Sequence, residues 1–460
     1  MFIHSLPRFC PYLLVSVFVF ILIPWHFVAA QSGRRTSSHR NSATQSGRRI
    51  TQTNSTAEIK VREAYLRSLA GDKVKFDDFK TIFEWLTESA GKEKWRKIQW
   101  RHDLWDARIE AAKTGKPIFI WAMNGDPLGC VWNNGVAGRV SVFSDNNIIE
   151  VLNEYFIPVV DNVSKSQIRQ DAHGEFFRKI AEQGHYRGRT IPTDTRQGLY
   201  AATADGKLLA SVNSTQVGRV QRLLGDAVRI WKKTTAAERS PKIKKSVLTD
   251  PKFSPKPPTN GLILRMIARD LPRAAKARRT DLTQQNIDHV WIHKEDMLSM
   301  IPEDPAKGQL VPIPKIVARR LAQFNLMDNV RGEASPFDPD EVNLDNIGLK
   351  VVKVSEETIK FVVYGHSSAA KPPSRKTNPF TGFRIDKEMG TDLVWSGAVV
   401  FDRKLQKFTR FDLLAAGERW GGCVYNFRDN DLGRSPIGFA FQVIENVEDD
   451  PTPPRFYAYY

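Results

Sequence analysis

Residues 117–135 read PIFIWAMNGDPLGCVWNNG. Pro117 to Trp121 is a short apolar run bounded by turn residues, the pattern of a buried strand. It opens into a glycine-containing loop that holds Cys130, one of three cysteines in the chain. A loop at the end of a strand is where many thiol enzymes keep a nucleophile, usually with a second cysteine three positions away. Here that position is Pro127. The stretch is therefore a redox site, a redox site missing one thiol, or a loop that happens to carry a cysteine.

The flanking segments place the strand in a regular order. Upstream, Val61, Tyr65 and Leu69 repeat at helical spacing before Gly71, and Leu104 to Lys113 is a second helix stopped by Gly115. Downstream, Asp145 caps a helix carrying Ile148, Ile149, Leu152 and Tyr155, and FIPVV (156–160) is a strand. Ile168, Ala172, Phe176 and Ile180 predict a helix ending at Gly184. GLYAAT (198–203) and KLLASV (207–212) flank the turn signal Ala204-Asp205-Gly206. Val217, Val220, Leu224, Ala227 and Trp231 then mark an amphipathic helix.

Strand, helix, strand, helix, hairpin, helix is the order of an α/β thioredoxin-like domain, in which the cysteine loop follows the first strand. The stretch ARIEAAKTGKPIFIWAMNGDPLGCVWNNG (107–135), with VFSDNNIIEVLNEYFIPVVD (142–161), resembles the spermatogenesis-associated thioredoxin-like family and uncharacterised secreted bacterial relatives. The resemblance covers about residues 95–235. It implies a cysteine pair at positions 127 and 130, and a cis-proline at Pro192 facing that pair. Thiol–disulfide exchange starts with attack by a low-pKa thiolate at the first position, which proline cannot supply. The insertion Asp194 to Gln197 also departs from the family pattern after Pro192.

Residues 239–259 are rich in proline and lysine and read as a linker. The expected domains are 57–238, thioredoxin-like with an N-terminal helical extension, and 260–460, mainly β (α+β, with a sandwich as one arrangement). In the second, GLILRMIARD begins a strand, NIGLKVVKV and TIKFVVYG flank Glu356-Glu357, and LVWSGAVVFDRKLQKFTRFDLLAAGERWGG reads as two strands and a tight turn. IGFAFQVI is another strand, Ile316–Leu326 is the one good helix, and 366–390 reads as a surface loop.

The chain has 460 residues, a net charge of +17 and a pI near 9.7, a balance that favours anionic partners or merely keeps a protein soluble. Arg8, the apolar run Tyr12 to Ile23 and the small residues Val28 and Ala30 predict a signal peptide over 1–30, and so a periplasmic or secreted protein. An uncleaved anchor is the rival reading. No later segment is apolar enough to span a membrane. Residues 31–56, with QSGRR twice and no acid, read as a disordered basic tether.

Cys130 has three readings: an inert buried thiol, a lone reactive thiol with Trp132 and Asn133 beside it, or one half of a disulfide with Cys423. His289 and His293, beside Asp288 and Glu295, would share a face of a helix, yet no third metal ligand is evident. The glycine-rich segment 415–431 gathers Glu418, Arg419, Trp420, Cys423, Asn426, Arg428 and Asp429, and reads either as a binding loop or as a turn with an internal salt bridge. Sequons at Asn54, Asn162 and Asn213 matter only in a eukaryotic secretory route. No phosphate loop, dinucleotide fingerprint, nucleophile elbow or nucleic-acid motif is present, and no cofactor is indicated. The expectation is a redox-inactive exported module that binds a protein or an anionic polymer. The alternative is a thiol–disulfide oxidoreductase working through Cys130 alone or with Cys423.

Overall fold

A computed structural model of the chain describes residues 55–69, 76–131, 133–187, 195–244, 247, 250–273, 285–373, 388–423 and 425–457. The signal peptide and nearly all of the tether, Trp132, the side chain of Asn133 and Pro192 lie outside the described residues.

Two helices, α1 (Thr56–Leu69) and α2 (Phe76–Thr87), come first. Helix α3 (Leu104–Thr114) is capped by the Asp103 carboxylate on the Trp105 and Asp106 amides, and stops at Gly115, whose φ of 70° suits a residue without a Cβ. Strand β1 (Ile118–Met123) follows, then α4 (Asn133–Ala137), a π-helical turn over Gly138–Val142, α5 (Asn146–Tyr155) and β2 (Ile157–Asn162). Asp145 caps α5 through the Ile148 amide, as its position predicts. After α6 (Val163–Ser166) and α7 (Ala172–Ala181) come the hairpin β3 (Gly198–Ala202) and β4 (Leu208–Val212), helix α8 (Val217–Trp231) and the short α9 (Ala236–Arg239). Ile168 is exposed ahead of α7, whose start is set by the Asp171 cap on the Gly174 amide.

These four strands form a mixed sheet ordered β2-β1-β3-β4, with β1 parallel to β2 and antiparallel to β3. Every residue of β1 is buried, because both faces of the sheet are covered. Phe119, Trp121 and Met123 point into a core with α5 and α8. Ile118, Ile120 and Ala122 point into another with α3 and α7.

The second sheet is built from β5 (Leu262–Asp270), β6 (Gln285–Ile292), β7 (Leu310–Pro312), β8 (Val342–Val354), β9 (Thr358–Lys371), β10 (Met389–Asp402), β11 (Lys407–Trp420) and β12 (Ser435–Val443), with α10 (Lys294–Leu298) and α11 (Lys315–Phe324) between β6 and β8. Its order is β6-β5-β12-β11-β10-β9-β8-β7, with antiparallel neighbours throughout. Among the described residues this is one sheet, not a sandwich of two. Alternate residues of all eight strands share one hydrophobic cluster with Val317, Ala318 and Leu321 of α11, so one face of the sheet and that helix form a common core.

Several segments differ from the sequence reading. Residues 285–292 form strand β6, almost wholly buried. Part of the loop expected over 366–390 is the end of β9 and the start of β10. Helices α1 and α2 pack on the large sheet, against Leu271, Leu414, Ala416 and Ala440. Leu86 sits so close to Gly438 that a Cβ there would lie 2.9 Å from it. Segment 239–259 is pinned to the small sheet's side: Trp105 Nε1 donates to the Lys244 carbonyl, the Asp250 amide donates to Asp171, and Ile243 and Val247 pack on the core. The described residues form one compact unit. Among the described residues no helix is long and apolar enough to cross a membrane.

Candidate functional site

Strand β1 delivers the chain into a tight loop at the seam between the two sheets. Gly125, at φ 101°, makes the first bend, where a Cβ would come within 3.0 Å of Val131. Asp126 Oδ1 accepts from the Leu128 amide, and the Gly129 amide closes a turn on the Asp126 carbonyl at 3.0 Å. Pro127 is the second residue of that turn, a place its fixed φ favours. It serves as a turn former where the family resemblance implies a nucleophile.

Arg139, from the π-helical turn, ties the loop down. Its Nη1 donates to the carbonyls of Pro127 and Gly129, each at 2.7 Å, and its Nη2 reaches Asn286 Oδ1 of β6 at 2.7 Å. Burial lowers the guanidinium to about 10, which leaves it charged at neutral pH. Cys130 follows, 2% exposed. The amides of Asn286 and Asn329 lie 3.8 and 3.6 Å from its sulfur, and Asn286 also donates to the Asn329 carbonyl at 2.7 Å. Burial pushes the thiol well above its usual range, and Asp288 and Glu333 add to the rise. Arg455 and Arg139 oppose it without prevailing.

Both cysteines are free and buried, so the Cys130–Cys423 bridge is not formed. Cys423 packs with Ala322, Met327, Phe337 and Met389, and its thiol donates to the Glu333 carbonyl at 3.7 Å. Burial raises its pKa as well.

His289 and His293 do not converge. In strand β6 the side chain of His289 is wholly buried, and His293 is an exposed residue just ahead of α10. The helical spacing expected for them is replaced by strand geometry. His289 Nε2 lies 3.0 Å from Asp450 Oδ1, and Asp450 Oδ2 accepts from Arg265 at 2.7 Å and Arg96 at 3.3 Å. Burial alone would raise the Asp450 carboxyl, but His289, Arg96 and Arg265 hold it far below the usual range. Next to it, burial raises Asp288 to about 6, although its carboxylate accepts from the backbone amides of His289 and Arg455. Among the described residues no three His, Cys, Asp or Glu side chains are grouped to hold a metal ion.

The segment 415–431 is divided between two environments. Ala415 to Trp420 belong to β11. Arg428 is fully buried and uses all three nitrogens on carboxylates: two bonds to Asp270, two to Asp328 and one to Asp431. Arg419, also fully buried, pairs with Asp431, as do Arg273 and Arg331. Neither Arg419 nor Arg428 offers a face to a ligand. Glu418 and Trp420 sit at the surface, where Arg434 pairs with one and stacks at 4.0 Å on the other.

A second cluster has no signal in the sequence. Ser166 Oγ donates to Asp161 Oδ1 at 2.6 Å and lies 3.2 Å from His173 Nε2, which faces the same carboxylate. The serine proton is committed to Asp161, and all three side chains are buried, so the group ties α6 and α7 to the end of β2. Arg139, Asn286, Asn329, Asp450 and Arg455 were equally invisible, since each acquires its meaning from residues far along the chain. Comparison with known protein families gives no match, and comparison with characterised proteins gives none.

Proposed function

We propose that this is an exported, redox-inactive protein in which a thioredoxin-like half is joined to a β half, the whole serving as a binding or structural module. The order β2-β1-β3-β4, with a cysteine loop after β1, supports the thioredoxin-like reading. The N-terminal apolar run with its small-residue ending supports export. The observation that carries the redox-inactive reading is the sealing of Cys130: a thiol under two asparagines of the other half, with its pKa raised by burial, neither forms thiolate readily nor reaches a disulfide. Pro127 leaves no partner thiol for a two-cysteine cycle.

The test is insulin reduction with dithiothreitol, run on the whole chain and on Cys130→Ser. Equal rates, at the uncatalysed level, are expected. A Cys130-dependent rate would establish the oxidoreductase reading instead. A thiol count with a chromogenic disulfide reagent should find Cys130 and Cys423 unreactive until denaturant is added.

A further inference from the structure

The segment Asp450–Tyr457 crosses the seam as a proline-rich strap, without regular structure over Pro451–Pro454 and turning over Arg455–Tyr457, where the Tyr457 amide donates to the Pro454 carbonyl at 3.1 Å. Its anchors come from both halves of the molecule. Asp450 is held by Arg96 before the small sheet, and by Arg265 and His289 of the large one. Thr452 is wholly buried, and its methyl would lie 3.0 Å from a Cβ at Gly129, so the strap lies directly on the cysteine loop. The Arg455 amide donates to Asp288 Oδ1 at 3.0 Å, its guanidinium pairs with Glu333 at 2.6 Å, and its Cζ would lie 3.5 Å from a Cβ at Gly125. Beyond it Phe456 meets Phe324, and Tyr457 meets Trp291 edge to face at 5.4 Å.

We propose that the cysteine-loop face is a docking surface for a proline-rich peptide with an acidic residue five positions before a basic one, and that the chain's own residues 450–457 occupy it as a releasable strap. The inference rests on the reading of this face as a binding face rather than a thiol active site, and it names the partner's chemistry. Three features fit such a ligand. Pro451, Pro453 and Pro454 restrict the segment before it binds, which lowers the entropy lost on docking. The acidic anchor meets a cationic cluster, and the basic anchor meets a carboxylate. Gly125 and Gly129 allow the strap to approach the loop backbone closely. Release of the strap uncovers one side of the loop that carries Cys130.

The test uses the full chain. Thr452→Arg places a long charged side chain where none fits and should displace the strap. Maleimide labelling of Cys130, read by mass spectrometry, should then rise by ~10-fold or more over wild type, the shift that follows from losing about one charged hydrogen-bond set. A synthetic peptide DDPTPPRFY, matching 449–457, should restore protection, and the same peptide with Asp450→Asn should not. Unchanged labelling, or a rise that the peptide does not reverse, overturns the proposal. Should Thr452→Arg lose its cooperative thermal transition, hydrogen exchange of the wild-type chain decides. The Arg455 amide should exchange faster than the amides of β6, reporting a local opening. Equal protection would mean that the strap opens only with the whole fold, and would overturn the proposal. Insulin reduction by the wild-type chain would refute the redox-inactive reading without altering the peptide arms.

Discussion

Asp288→Asn should flatten the part of the stability–pH profile that this buried carboxyl controls. Asp288 is 1% exposed, and burial raises it from an ordinary 3.8 to about 6. A carboxyl raised in the folded state binds its proton more tightly there than in the unfolded chain. Its contribution is therefore neutral below the unfolded value, and becomes an increasing penalty as pH climbs toward the folded one. The separation between these two values corresponds to ~3 kcal/mol, fully present above about pH 7. Asparagine keeps a carbonyl oxygen for the His289 and Arg455 amides but does not ionise. Asn325, which donates to Asp288 at 3.3 Å, must turn its amide to suit, a fixed cost that does not vary with pH. Urea titrations of both proteins from about pH 4.5 to pH 8 should thus show the variant gaining on wild type by ~2 kcal/mol as pH rises, the share of the total that falls in this window. Parallel profiles would refute the argument, because they would mean that Asp288 titrates alike in the folded and unfolded chain.

Arg428→Met should lower stability by about 3 kcal/mol in urea, because it removes the shortest ion pairs of buried Asp270 and Asp328 and leaves them only the longer contacts to Arg273, Arg331 and Arg419; a loss under ~1 kcal/mol would show that those remaining arginines close in on the carboxylates. Gly125→Ala should reduce the melting temperature by several degrees, at ~1–3 kcal/mol for a strained left-handed backbone, and an unchanged transition would mean that the loop shifts freely. A chain nicked by trypsin within 239–259 should still elute as one species on gel filtration and part in denaturant without reductant, since polar contacts and the packing of Ile287 on the small-sheet core, rather than a disulfide, join the two sheets; pieces that separate under native conditions would show that the seam is too weak to hold the loop closed.

How much could be read before folding depends on the distance over which each feature is decided. Strands β1, β8–β12 and helices α3, α5 and α8 were legible because alternation, helical repeats, Asp caps and glycine stops act within a few residues. The sequence shows Pro127, not a second thiol, three positions before Cys130, though its part in a turn needed the Asp126–Gly129 hydrogen bond. Strand β6 was misread because His289 and His293 stand four apart, a spacing that suits a helix, while pairing with β5 holds His289 in a strand that ends before His293. The placement of α1 and α2 was equally hidden, since an amphipathic helix shows that it needs a partner and not which sheet provides it. The state of Cys130 was decided entirely by tertiary structure. The asparagines that cover it lie 156 and 199 residues away, and the strap over its loop comes from the far end of the chain. No local pattern encodes such contacts, because burial and the desolvation that raises a thiol's pKa exist only once distant segments have closed over it.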